Sequence, residues 1–419
     1  MRLRTCILSL SALFALVYPL ALWQKQRIFS SIPIMESLAY WFWIAEPLLI
    51  ALFLFASAAA IRQKILQYVC IIAASCFLAL FTAETHLRSK SADFFSLFQS
   101  HESVYVKSGI TSHLDEKDST GPDPLLGYGP NPMGKMRLAA RRAKGDELIY
   151  DVLYSRDAEG RRVTPDRGDK ADTAILLFGC SFTVGAGLND QETFAWQLGE
   201  MLGEKFQVFN YGYSGYGSHQ MLALIESGRL DALMGRYTQK YALYLTIPKH
   251  EQRCVGLDNW SRFAPRYILE NGALIHAGTL RDSEYRLFAH SLLYHRLYDW
   301  VYALENPAFL QWLTARPVDT HVAIIAKSMH ELAARYQADF LTVLWPGYLR
   351  IEPYLRRLEP KLRDKGVRTL SLTGVMPDYT REKYRIKGDG HPNALAATRI
   401  AEALFEYILE NTQTGAKQP

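Results

Sequence analysis

Charge is spread so unevenly along this chain that its beginning and its remainder must fold in different solvents. Residues 1–85 carry few charges and hold three apolar runs, at 6–23, 38–60 and 66–83. Each run is near the ~20 residues that a helix needs to cross the hydrocarbon of a bilayer. Arg2 and Arg4 before the first run would suit a signal peptide. Two further runs behind it make a three-helix anchor, in lipid over residues 6–83, the better reading. Arg2, Arg4, Arg62 and Lys64 on one side nearly balance Lys25, Arg27, Arg88 and Lys90 on the other. The amino terminus tips the first group towards the cytoplasm. Three crossings then place everything after residue 85 outside an inner membrane, in a periplasm or beyond. Tyr40, Trp41, Phe42 and Trp43 would form an interfacial belt. Glu46, about one turn away, reads as a shallow hydrated or protonated carboxyl, with an intramembrane function as the alternative.

A length of 419 residues allows two or three structural units. The net charge of +5 comes from scattered basic residues without aromatic interleaving, which argues against nucleic acid as a partner. The five cysteines include no CxxC pair, so neither a zinc site nor a redox motif is indicated. Cys180 and Cys254 read as small buried thiols at strand ends rather than as a disulfide.

Residues 86–170 are polar and mixed, with turn formers at 123–128, alternation at 149–153 and a hairpin tip at 157–160. They read as a small β-rich accessory segment. From 174 onward the pattern changes to strands at 174–178, 206–209, 241–247, 338–344 and 367–372, interleaved with helices at 192–202, 219–233, 352–365 and 394–409. Short apolar strands alternating with helices imply an α/β domain over 171–412, a parallel sheet covered on both faces. Residues 256–330 break the alternation and read as an insertion near the site mouth, with a hairpin at Asn271-Gly272. Its Tyr285, Tyr294, Tyr298, Trp300 and Trp312 could line a glycan cleft or pack the insertion onto the core.

In a parallel sheet, function gathers at the carboxyl ends of the strands. The first strand ends in Gly179-Cys180-Ser181, so a serine stands directly after a buried strand and ahead of a helix. Such a hydroxyl is a weak nucleophile until a base takes its proton. Gly388-Asp389-Gly390-His391 comes just before the last helix. Histidine has the right pKa for that base, and a carboxylate two residues away can fix its tautomer.

With these blocks the chain resembles the SGNH/GDSL hydrolases over residues 174–409. Gly179-Cys180-Ser181 stands where that family has Gly-Asp-Ser, and Asp389-Gly390-His391 where it has its catalytic Asp and His. The single intervening residue is a spacing similar to that of polysaccharide O-acetyltransferases. Asn210-Tyr211-Gly212-Tyr213-Ser214-Gly215 matches the second block, and Gly215 takes the place of the glycine whose amide serves the oxyanion hole. The third block departs from the pattern: Thr246-Ile247-Pro248-Lys249-His250-Glu251 contains no Asn. His250 is then either a replacement oxyanion donor or part of a structural loop. Cys180, in place of the family's Asp, reads as packing.

The resemblance implies a three-layer SGNH hydrolase domain with Ser181 as nucleophile and no metal or organic cofactor. It implies an esterase acting on acyl, foremost acetyl, esters of an envelope or exported glycan. The alternatives are an O-acyltransferase for such a glycan, or a non-catalytic domain working with polysaccharide biosynthesis and export proteins.

Overall fold

The computed structural model describes residues 34–89, 104–107, 110–114, 120–131, 134–142, 147–258, 260–289, 291–303, 311–346, 351–377, 379 and 382–415. The chain divides into two compact units, residues 1–102 with 284–297, and residues 103–283 with 298–419.

In the first unit α1 (Ile34–Ala60) and α2 (Lys64–Ser89) form a helical hairpin. Its burial is inverted relative to a water-soluble pair. Ala51, Ala58 and Ala74 are buried, while Leu52, Ile65, Tyr68, Val69 and Ile72 are exposed. Among the described residues, Lys64–Leu87 is the one helix long and apolar enough to cross a membrane, and Pro47–Ala60, the end of α1, is a shorter apolar stretch. One such helix is described where three were expected. The first expected span lies outside the described residues, and the side chains of Tyr40–Trp43 and Glu46 do too. Near the end of α2, Glu84 is buried and accepts from Ser291 Oγ (3.2 Å) and from the amides of Leu292 (2.9 Å) and Leu293 (2.8 Å).

In the second unit the β-rich stretch forms an antiparallel sheet, ordered Val104–Lys107, Ile110–Leu114, Gly134–Arg142, Leu148–Arg156. The main sheet has five parallel strands: β1 (Thr173–Gly179), β2 (Phe206–Gly212), β3 (Gln239–Thr246), β4 (Asp339–Leu344) and β5 (Thr369–Ser371). They lie in the order β5-β4-β3-β1-β2. All seven residues of β1 are buried, because it is covered on both faces. Ile175 and Leu177 point into a core shared with α4 (Phe194–Leu202) and with the closing helix Ala394–Gly415. Ala174, Leu176 and Phe178 point the other way, towards α5 (Ser218–Glu226) and the helices Gln311–Tyr336 and Ile351–Asp364.

The expected alternation of strands and helices is present to within a few residues at most ends, and the Asn271-Gly272 hairpin joins strands Pro265–Glu270 and Ala273–Thr279. The helix expected over 219–233 divides instead into α5 and the short helix Asp231–Met234, with Gly228 at positive φ between them. The insertion also needs correction. Its second half is a layer of the fold, since Val318, Val322 and Ile325 of helix Gln311–Tyr336 pack on the sheet. Pro317 and polar His321 inside that helix disguise its apolar period. Residues 284–297 fall with the helical hairpin, held through Glu84.

The accessory sheet is tied to the loop after Ser181 by a buried cation. Arg162 donates to Asp190 Oδ1 (2.7 Å) and to the carbonyls of Leu188 (2.7 Å), Val184 (3.4 Å), Gly185 (3.4 Å) and Leu153 (3.4 Å). Its guanidinium lies 3.6 Å from the centre of the Tyr154 ring. Removing one partner of a buried pair leaves an uncompensated charge, at a cost of about 3–5 kcal/mol. We expect Arg162→Met to lose about that much in denaturant unfolding, with Asp190→Asn milder because a hydrogen-bonding oxygen remains.

Candidate active site

β1 lies beside β3 on one side and β2 on the other, so the chain leaves these three strands in opposite directions at one end of the sheet. A crevice at this reversal is where open α/β sheets bind ligands. Gly179 closes β1 at φ +153°, and a Cβ there would lie 2.1 Å from Thr183 Oγ1. Only glycine permits the turn that delivers Ser181 to the first position of α3 (Ser181–Val184).

His391 reaches Ser181 from the far end of the domain. Its Nε2 lies 2.9 Å from Ser181 Oγ, and its Nδ1 lies 2.5 Å from Asp389 Oδ2. Ser181, Asp389 and His391, the three catalytic candidates from the sequence, are thus brought into one hydrogen-bonded series. The Asp389 and His391 side chains are 4% and 13% exposed, so the carboxylate is shut off from water while the imidazole keeps an opening. The loop that carries them is closed by Ile386 N donating to His391 O (2.8 Å), with Asp389 N and Gly390 N both donating to Ile386 O (3.1 Å). Asn393 then accepts from Ala396 N (3.0 Å), capping the helix α6 (Ala394–Gly415). Beneath the imidazole, Phe182 lies 5.4 Å from His391, Trp345 4.8 Å from Phe182 and Tyr379 4.6 Å from Trp345, as ring centroids. This stack fixes the ring without competing for its nitrogens.

The second block folds as a turn after β2. Tyr213 N donates to Gly179 O (3.2 Å), which sets the turn against the end of β1. Gly215 has φ +81°, and a Cβ on it would lie 2.5 Å from Tyr128 Oη and 2.6 Å from Trp260 Nε1. Among the backbone hydrogen bonds of the described turns and loops, none is donated by the Ser181 or Gly215 amide, as an oxyanion donor requires.

His250 is fully buried, with Nδ1 2.6 Å from Tyr244 Oη. It belongs to a buried polar group. His321 bridges Ser218 Oγ (2.8 Å) and Thr246 Oγ1 (3.0 Å), and among the described residues neither ring nitrogen of His219, nor Nε2 of His250, has a partner. Burial, and for His219 and His250 the nearby Arg253 cation, push these imidazoles down, His219 and His321 to about 3 and His250 well below its usual value. Cys180 and Cys254 are buried free thiols.

Sequence reasoning missed Arg253 and Trp260, neither of which sits in a recognisable block. Of the aromatic residues proposed for a cleft, Tyr298 is buried and Tyr294 stacks on Phe288 at 4.6 Å. The side chains of Trp300 and Trp312 lie outside the described residues. Trp260, 43% exposed beside Gly215, is the aromatic surface at the site.

No protein-family model matches the chain, and no curated protein matches it. Several solved structures are similar. A member of the lipolytic G-D-S-L family from Veillonella parvula is 10% identical, covering 56% of this chain and 97% of its own at a TM-score of 0.32. A lipase from a goat rumen metagenome is 14% identical, covering 55% and 95% at 0.33. A two-domain esterase active on acetylated mannans is 13% identical, covering 59% and 51% at 0.32. Likeness at this level carries no functional argument, and the chemistry must be read from this chain's own residues.

The buried histidines give the fold a pH dependence. Between pH 6.5 and about 3 the unfolded chain takes up protons at His219 and His321 while the folded chain does not. Stability therefore falls as pH drops below about 6.5, by on the order of 1 kcal/mol per pH unit for each such group. His219→Met, which removes an imidazole without hydrogen-bond partners, should flatten the decline when unfolding is followed from pH 7 to 4.5.

Proposed function

We propose that the chain is a membrane-anchored serine ester hydrolase of SGNH/GDSL type, acting on acyl, foremost acetyl, esters of a carbohydrate. The observation that carries the reading is the series from Ser181 Oγ to His391 Nε2 at 2.9 Å and from His391 Nδ1 to Asp389 at 2.5 Å. His391 accepts the Ser181 proton as Oγ attacks the ester carbonyl carbon, and the carbonyl π pair moves onto oxygen. The tetrahedral intermediate collapses when the C–O bond to the alcohol breaks, with His391 returning the proton to the departing oxygen. Water, deprotonated by the same imidazole, then attacks the acyl-serine, releases the acid and restores Ser181. Asp389 holds the imidazole tautomer and stabilises its cationic form throughout.

A carbohydrate fits the exposed indole of Trp260 at the Gly215 turn, since the C–H face of a sugar ring stacks on an aromatic face. A membrane location rests on α2 and on the exposed large side chains around the alanines buried in α1 and α2. With Arg62 and Lys64 cytoplasmic, α2 would carry the second unit outside.

Two experiments test this reading. Ser181→Ala and His391→Ala should each abolish turnover of a small activated acetate ester, and Asp389→Asn should lose about 10⁴-fold in kcat with the fold retained. Unchanged turnover in Ser181→Ala would end the reading. A reporter active only outside the cytoplasm should be active when fused after residue 90 and silent after Lys64. The reverse pattern would turn the search to cytoplasmic esters.

A further inference from the structure

The third block lacks the Asn that the resemblance assigns to the oxyanion, yet the corner it would occupy holds another donor. After β3 the chain makes a short helix, Lys249–Arg253, at the carboxyl end of the strand next to β1. Its last residue turns its guanidinium onto the backbone of the turn that carries the Gly215 amide. Arg253 Nη1 donates to Tyr216 O at 2.9 Å, in the turn containing Gly215. The Arg253 charge also lies within electrostatic reach of Cys180, the residue before Ser181. Trp260 covers the group from outside, with the guanidinium carbon 5.5 Å from its ring centre, and ties itself to Gly215 O at 3.4 Å. The Arg253 Nε–H is enclosed and has no partner among the described residues.

We propose that Arg253 is the third oxyanion donor, a fixed cation that takes the place of the missing Asn and stabilises the tetrahedral oxyanion formed on Ser181. The inference rests on the serine-esterase reading and adds to it a donor outside the family's pattern. A guanidinium offers five N–H groups in a rigid plane, so it can hold Tyr216 O through one and still present others. The buried histidines beneath it explain why the charge is an arginine's. Burial keeps His219, His250 and His321 neutral at working pH, whereas Arg253 stays charged. His250 then supports the corner from below through Tyr244, rather than donating to substrate. A preorganised charge is worth more beside buried groups such as the Arg253 Nε–H than in water.

The test uses full-length detergent-solubilised protein and a small activated acetate ester, with wild type, Arg253→Ala, Arg253→Lys and Ser181→Ala. Arg253→Ala should lower kcat by about 10²–10³, the scale of one lost oxyanion donor, while KM moves little. Millimolar guanidinium should restore kcat in Arg253→Ala at least several-fold, equimolar urea should not, and Arg253→Lys should fall between. Near-normal kcat in Arg253→Ala overturns the inference and leaves the esterase reading standing. So does a loss that neither guanidinium nor Lys recovers, which would assign Arg253 to packing. Wild-type turnover no greater than that of Ser181→Ala overturns the esterase reading, and this inference with it.

Discussion

The strand Thr173–Gly179 is buried along its whole length, packed on one face by Leu198 and Ile400 and on the other by Ile225 and Ile325. A strand enclosed in this way cannot shift its register without moving every apolar side chain to the wrong layer. Its last residue is therefore a fixed point, and the chemistry is built outward from it. Gly179 makes the turn, Ser181 follows, and Tyr213 N bonds back to Gly179 O to set the Gly215 turn alongside. The Asp389–His391 loop arrives on the closing helix, whose Ala397, Ile400 and Leu404 pack in the same core.

Around that fixed point the site is held by groups that take no part in bond making. Arg162 gathers the carbonyls of the loop behind α3 and of Leu153 and pairs with Asp190, so the accessory strand Leu148–Arg156 becomes a brace for the Ser181 loop. The Phe182–Trp345–Tyr379 stack supports His391 from beneath. Arg162 is satisfied mainly by backbone carbonyls, and Tyr379 Oη donates to Gly390 O at 3.4 Å, in the loop that carries His391.

Much of this was legible in the sequence because it depends on local pattern. Apolar runs of about four to seven residues marked β1 to β4 to within a few residues, and Asn271-Gly272 marked a hairpin through its need for positive φ. Ser181, Asp389 and His391 stood out because a strand end and a Gly-rich turn are where reactive side chains can be exposed. Arg253 and Trp260 were not legible, because their places beside the Gly215 turn arise from long-range contacts with Tyr216 and Gly215, 37 and 45 residues away in sequence. His250 drew attention by position alone, and only burial against Tyr244 reveals its different surroundings. Helix Gln311–Tyr336 was hidden by Pro317 and by a polar His321 that is satisfied only through Ser218 and Thr246.

The central claim is that Ser181 is a hydroxyl activated by His391, and its reactivity can be measured without knowing the natural ester. Full-length protein treated with a fluorophosphonate should gain one phosphonyl adduct, mapped by peptide mass spectrometry to Ser181. The adduct should fail to form when His391 is replaced by alanine. An unlabelled Ser181 in folded wild-type protein, or equal labelling without His391, would contradict the account.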